Sequence, residues 1–191
     1  MKKLSILLPL CLAVTILSCK NDKKEETTEG ETEMVQEMNE EKKELRITME
    51  PKSDTQTKGT ITFTEEDGVV RMVASFDGLQ EGTHAIHLHE KADCSAADGT
   101  STGGHWNPTF EQHGKWGDPD GYHKGDIGNF EADDQGNGEV SFETDEWCLG
   151  CDDDNKNILG KAVIVHAGVD DFETQPTGDA GGRISCGGVI Q

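Results

Sequence analysis

From about Leu45 onward, apolar and polar residues alternate in short runs. The runs are "ELRITMEP", "GTITFTEED", "VVRMVASFDGL", "HAIHLHE", "DIGNFEADDQGNGEVSFETD", "LGKAVIVHAG" and "RISCGGVI". Period-two alternation and β-branched residues predict strands, and the intervening Gly, Asp and Asn predict turns, with "EEDG" and "DDQGNG" as the clearest hairpin signals. Many short strands with little helical periodicity indicate an all-β chain folded as an antiparallel sandwich or barrel. The pattern fails only between Lys91 and Lys124, a stretch rich in Gly, Asp and His. A loop of that length inside a compact domain is usually functional.

The N-terminal pattern differs. Lys2 and Lys3 precede the apolar run "LSILLPLCLAVTIL", and residues 1–18 read as a secretory signal, too short for a lasting membrane span. "ILSC" at Ile16 to Cys19 is similar to a bacterial lipobox, in which the cysteine is lipidated and becomes the mature N-terminus; ordinary signal cleavage, leaving Cys19 a free thiol, is the alternative. Residues 19–44 follow as an acidic tether, with almost nothing to bury and therefore expected to be disordered, spanning roughly 25–30 Å as a coil. A helix over Thr32–Lys43 is the competing expectation. The folded domain is expected over 45–191.

Composition narrows the function. With 17 basic and 38 acidic residues, the formal net charge is −21, which argues against nucleic-acid binding. The chain's 7 histidines are not scattered. On a strand, His87 and His89 share one face while Ile86 and Leu88 share the other, so one face is apolar and one presents imidazole. Two imidazoles at that spacing can share a metal ion. The long loop adds His105, His113, His123 and Asp126, and three imidazoles with a carboxylate form a closed set suited to zinc. His166, at the end of "KAVIVH", joins the strand pair in a second, all-imidazole set, which favours copper.

Five segments, "HAIHLHE", "GGHWNP", "HKGDIGN", "VIVHAGVDD" and "GGRISCGGVI", resemble the signature segments of the copper/zinc superoxide dismutase family, in its order and close to its spacing. The resemblance implies an eight-stranded antiparallel Greek-key β-barrel with two long functional loops. It implies superoxide as substrate, disproportionated to dioxygen and hydrogen peroxide at copper, with protection of the cell envelope as the outcome. It assigns copper to His87, His89, His105 and His166, and zinc to His105, His113, His123 and Asp126, with His105 bridging the two and carrying a proton. His84 matches a family histidine that binds backbone rather than metal. Asp170 matches a carboxylate linking a copper ligand to a zinc ligand, and Arg183 matches the arginine that receives the anion. Partners beyond the substrate are a membrane, reached through the N-terminal lipid only, and a homodimer, which the resemblance is compatible with. The protein is expected to be exported and anchored to the bacterial cell envelope.

Cys94 and Cys186 match the family's intrachain disulfide, which would close a loop of 92 residues and stabilise by roughly 4–5 kcal/mol in the chain-entropy picture. Cys148 and Cys151, in "WCLGC", have no counterpart in the best-known members. A local disulfide stapling a loop is the first reading, with a redox dithiol and an extra metal site as alternatives. One departure concerns steering: "DDFETQP" stands where eukaryotic members have lysines, with Pro176 at an expected lysine. Capture would then rest on Arg183, or on Lys124 or Lys91 if either lies near the mouth. Two other functional classes fit the chain less well. A copper-delivery domain typically lacks some copper ligands or the arginine, and a zinc hydrolase leaves the second imidazole set without a role.

Overall fold

The computed structural model describes residues 42–191; the signal stretch, Cys19 and the tether up to residue 41 lie outside them. The strands are β1 (Lys43–Pro51), β2 (Lys58–Glu66), β3 (Val69–Asp77), β4 (Gly82–His89), β5 (Gly128–Ala132), β6 (Gly138–Thr144), β7 (Ala162–His166) and β8 (Arg183–Gly188). Every pairing is antiparallel, and the strands close a barrel in the order β1-β2-β3-β6-β5-β4-β7-β8. The β3–β6 and β4–β7 neighbours require crossovers, which makes the topology a Greek key. The first strand begins at Lys43 rather than Leu45, because Lys43 and Glu44 stay in register opposite Glu65 and Thr64. Lys43 and Glu44, expected as the end of the tether, and Lys43, expected as the end of the alternative helix, are therefore strand; the rest of both expectations lies outside the described residues.

Local chemistry explains the hairpins. Asp67 and Gly68 take φ of 52° and 75°, the left-handed pair that a two-residue turn between twisted strands needs. At the β5–β6 turn the Asp133 carboxylate accepts hydrogen bonds from the backbone N–H of Gln135 and Asn137. Alternation then fills the barrel. Ile47 and Met49, Ile61 and Phe63, and Val70, Met72, Ala74 and Phe76 are buried while their neighbours face outward. Each large apolar side chain so buried contributes about 1.5–3 kcal/mol.

Strands β4 and β7 depart from alternation, and the departure makes the site. Every residue from His84 to His89 and from Ala162 to His166 is buried. Ile86, Leu88, Val163 and Val165 belong to the barrel core, whereas Ala162 and Ile164 form a second cluster with Cys186 and Cys94 on the outer face. That outer face is roofed by the 90–127 and 167–182 connections. A third long connection, 145–161, lies against the β1–β2 edge, where Leu149 N–H donates to the Glu65 carboxylate and Lys43 Nζ donates to Leu149 O.

The roof is fastened by backbone. Trp106 N–H donates to Leu88 O at 2.8 Å, Gly125 N–H to Trp106 O at 2.9 Å and Leu88 N–H to Gly125 O at 2.9 Å. The three peptides flank His87 and His89, His105, and His123 and Asp126, so one crossing gathers most of the ligand candidates. Gly125 is what allows the approach: a Cβ there would lie 3.0 Å from Trp106 N and closer still to Leu88 O. Gly125→Ala is expected to force the crossing apart, destabilise the protein by about 1–3 kcal/mol and weaken metal binding at both clusters, checked by thermal unfolding and metal content.

Candidate metal centre

Two groups of side chains converge beneath the roof: His87, His89, His105 and His166, and His105, His113, His123 and Asp126. In each group one ligand atom per residue lies within 4.8 Å of all the others, and all seven residues are buried. His105 belongs to both. Strand geometry supplies His87 and His89 from β4 and His166 from the bulged end of β7, and an isolated β-bridge between His89 and His105 draws the loop histidine across.

Hydrogen bonding fixes the tautomers. His89 Nδ1 lies 3.0 Å from Gly103 O and His166 Nδ1 lies 3.3 Å from Gly181 O, so both Nδ1 atoms must donate, since a carbonyl oxygen only accepts. Their Nε2 atoms therefore hold lone pairs, and these face each other at 3.4 Å. His87 Nε2 donates to Asp170 Oδ2 at 2.8 Å, which leaves His87 Nδ1 a buried lone pair without a partner. His105 Nε2 is likewise buried and unpartnered. Four acceptor nitrogens aimed at one another repel unless a cation lies among them. The first group fits a transition metal held by nitrogen.

The second group surrounds a carboxylate. Asp126 Oδ1 lies 2.9 Å from His105 Nδ1 and 3.3 Å from His123 Nδ1, and Oδ2 lies 3.0 Å from His113 Nδ1. His113 Nε2 donates to Asp170 Oδ1 at 2.8 Å, which turns its Nδ1 toward the second carboxylate, Asp126. His113 Nδ1 and His123 Nδ1 find no hydrogen-bond partner. Three Nδ1 atoms and one carboxylate match the donor set of a tetrahedral zinc ion.

The structure also brings the other predicted residues together. Asp170 accepts from His87 and His113 at once, tying the two groups by one carboxylate. Arg183 Nη1 donates to Gly99 O and Thr102 Oγ1, and Nη2 donates to Gly103 O, each at 2.8 Å. Gly103 O is the same acceptor that holds His89, so the guanidinium is fixed beside the first group. His84 is spent on backbone, with its ring nitrogens 2.8 Å from His166 O and Gln80 O. Cys94–Cys186 and Cys148–Cys151 are both disulfides. Lys124 is committed elsewhere, in an ion pair with Glu146.

Residues that carried no sequence signal complete the framework. Gln175 accepts from His113 N–H at 2.9 Å and donates to His113 O at 2.8 Å. Asn129 pairs in the same two-point way with the Asp170 backbone, at 2.9 Å in both directions. At Gly178, φ is 67° and a Cβ would lie 2.6 Å from His113 Nε2, so only glycine leaves room for the Asp170–His113 contact.

The chain resembles known proteins along most of its described length. A family profile described as copper/zinc superoxide dismutase matches residues 57–190. The extracellular superoxide dismutase [Cu-Zn] of Drosophila melanogaster is 37% identical over 142 residues, covering 70% of this chain and 76% of that protein. Among solved structures, a double mutant of a SOD-like protein from Bacillus subtilis superposes with a TM-score of 0.68 at 31% identity, covering 76% of this chain and 97% of the other. The clock protein EA4 superposes with a TM-score of 0.66 at 32% identity, covering 77% and 94%.

Burial and neighbours set the titration of the metal-free cluster. Burial, with the nearby His105 and His87 rings, holds His89 and His166 well below the usual imidazole range, and burial takes His105 down to about 4. His113 is raised to about 9, because the carboxylates of Asp126 and Asp170 on either side of the ring outweigh its burial. For Asp126 and Asp170 burial opposes ionisation, but the imidazoles around them outweigh it and hold both carboxyls well below the usual range. By linkage, the depressed histidines contribute stability above pH 6.5 that is lost as pH falls toward 4, and the raised His113 contributes stability below 6.5 that is lost as pH rises through 9. The metal-free protein is therefore expected to melt highest near pH 6.5. Thermal unfolding after chelation, from pH 4 to 9, checks it.

Proposed function

The chain belongs to the copper/zinc superoxide dismutase family, and on that premise we propose how its side chains divide the work. The protein is an oxidoreductase that uses copper and zinc to convert two superoxide ions and two protons into dioxygen and hydrogen peroxide. In our reading His87, His89, His105 and His166 hold copper, and His105, His113, His123 and Asp126 hold zinc. The observation that carries this division is His105, common to both groups, with Nε2 unpartnered on one side and Nδ1 against Asp126 on the other. All-imidazole donors suit copper, and a set with a carboxylate suits zinc.

Copper, when bound, supplies the one-electron change that the two half-reactions share, and zinc, which has no redox chemistry, supplies order. Arg183 receives the anion: its guanidinium keeps a positive charge, and the three acceptors on loop 99–103 hold it in place. His105 Nε2 is the atom that takes up and returns the proton between half-reactions. Asp170 keeps His87 and His113 in single tautomers and at fixed angles, so neither ring can turn its free nitrogen away. With Lys124 paired to Glu146 and Pro176 at an expected lysine, capture depends on the field of Arg183 and the metals, and Lys91 is the steering lysine left to consider.

Two disulfides suit an oxidising compartment, and the similar Drosophila enzyme is extracellular. Lipidation at Cys19, an anchored tether and protection of a bacterial envelope belong to our reading as well, supported by "ILSC" and the composition that follows it. A homodimer remains compatible with the family.

The test is metal content by mass spectrometry together with superoxide decay. Activity should vanish with a copper chelator and return with copper, and His166→Ala should abolish turnover while keeping zinc. Appreciable turnover in copper-free protein would overturn the assignment.

A further inference from the structure

The Cys148-x-x-Cys151 motif has no part in the reaction above, yet the residue before it reaches the second ligand group. Trp147 is buried, 1% exposed, and its indole Nε1–H donates to Lys124 O at 2.8 Å. Lys124 lies in the turn that presents two of the ligands. His123 N–H donates to Asp126 Oδ2 at 2.8 Å and Asp126 N–H to His123 O at 3.1 Å, so the Lys124 peptide is the apex between them. Glu146 grips the same turn from its side chains, accepting from Tyr122 Oη at 2.7 Å and pairing with Lys124 Nζ. The indole also rests edge-on against Trp116 of the loop and at 5.0 Å from Phe142 on β6.

The other end of this hook is anchored. Cys148 N–H donates to Lys156 O, Ile158 N–H donates to Cys148 O, and Asn157 binds Gly150 N–H and Cys151 O. Leu149, inside the disulfide ring, is bonded to Glu65 and Lys43 of the barrel. A three-residue separation closed by a disulfide leaves the ring little freedom. The connection thus runs from the β1–β2 edge through a covalent ring to the peptide between two ligands.

We propose that Trp147, held by the Cys148–Cys151 ring, is a positioning residue for the second ligand group: its indole N–H fixes the Lys124 peptide and so slows loss of the metal from His113, His123, Asp126 and His105. The proposal rests on the reading of that group as the zinc site. It gives the additional disulfide a role at the metal, and neither a redox cycle nor a third metal is needed.

The experiment measures zinc transfer from the copper- and zinc-loaded protein to a chromogenic chelator, in parallel with the visible copper spectrum and the melting temperatures of the metal-free and the loaded protein. Trp147→Phe keeps an aromatic ring and removes the donor. It should release zinc roughly three- to tenfold faster, the scale of one hydrogen bond, with the copper spectrum kept and the metal-free melting temperature little changed. The Cys148→Ser/Cys151→Ser pair should shift zinc release in the same direction, and it decides alone if Trp147→Phe does not fold. Wild-type release rates, or a melting loss equal in metal-free and loaded protein, would overturn the proposal. Asp126→Ala separates the underlying reading: if that variant keeps zinc, the site assignment fails, whereas zinc loss there with unchanged Trp147→Phe release removes only the positioning role.

Discussion

Lone pairs pointed at one another inside the protein are the constraint on which the rest of this structure depends. Carbonyls and a carboxylate take the protons of the outer ring nitrogens of His87, His89 and His166, so the inner ones have none to offer. His89 and His166 meet Nε2 to Nε2 at 3.4 Å. A buried polar atom without a partner costs about 1–3 kcal/mol, and this site holds four ring nitrogens in that condition. Cations among them convert that cost into binding, so metal affinity and folding are coupled.

The fold meets this cost by separating duties. The barrel interior is apolar and closed, and its core carries none of the ligand candidates. His87, His89 and His166 stand on the outside of β4 and β7, and the roof of loops supplies the other four ligands, fastened where Leu88, Trp106 and Gly125 bond backbone to backbone. Asp170 then couples the two groups, and the Cys94–Cys186 bridge ties the roof to β8, the strand that begins at Arg183. A strongly acidic chain can still receive an anion here because the local charges, rather than the total, set the field in a cleft.

Much of this was legible in sequence because the informative residues are scarce. Alternation marked the strands, and histidines at i, i+2 on a strand marked one metal group, since period two puts both on one face. Three histidines and an aspartate in one long loop marked the other group, and the family resemblance added the bridging role of His105. What was not legible is held by contacts without a residue signature. Arg183 is seated by two backbone carbonyls and the Thr102 hydroxyl, and His113 by the amide of Gln175, 62 residues away. The partner of Lys124 lies 22 residues downstream, in a connection rich in Asp and Gly with no periodicity to announce a third long loop. The start of β1 was missed for another reason: Lys43 and Glu44 read as tether by composition, and only pairing with Glu65 and Thr64 makes them strand.

One imidazole, His105, serves both groups. Electron paramagnetic resonance of protein loaded with copper at the first group and cobalt(II) at the second tests this most directly, because two paramagnetic ions sharing one deprotonated imidazole couple magnetically. The structure predicts that the copper signal of the copper–zinc protein is lost in the copper–cobalt protein. A copper signal of full intensity beside bound cobalt would contradict a shared His105.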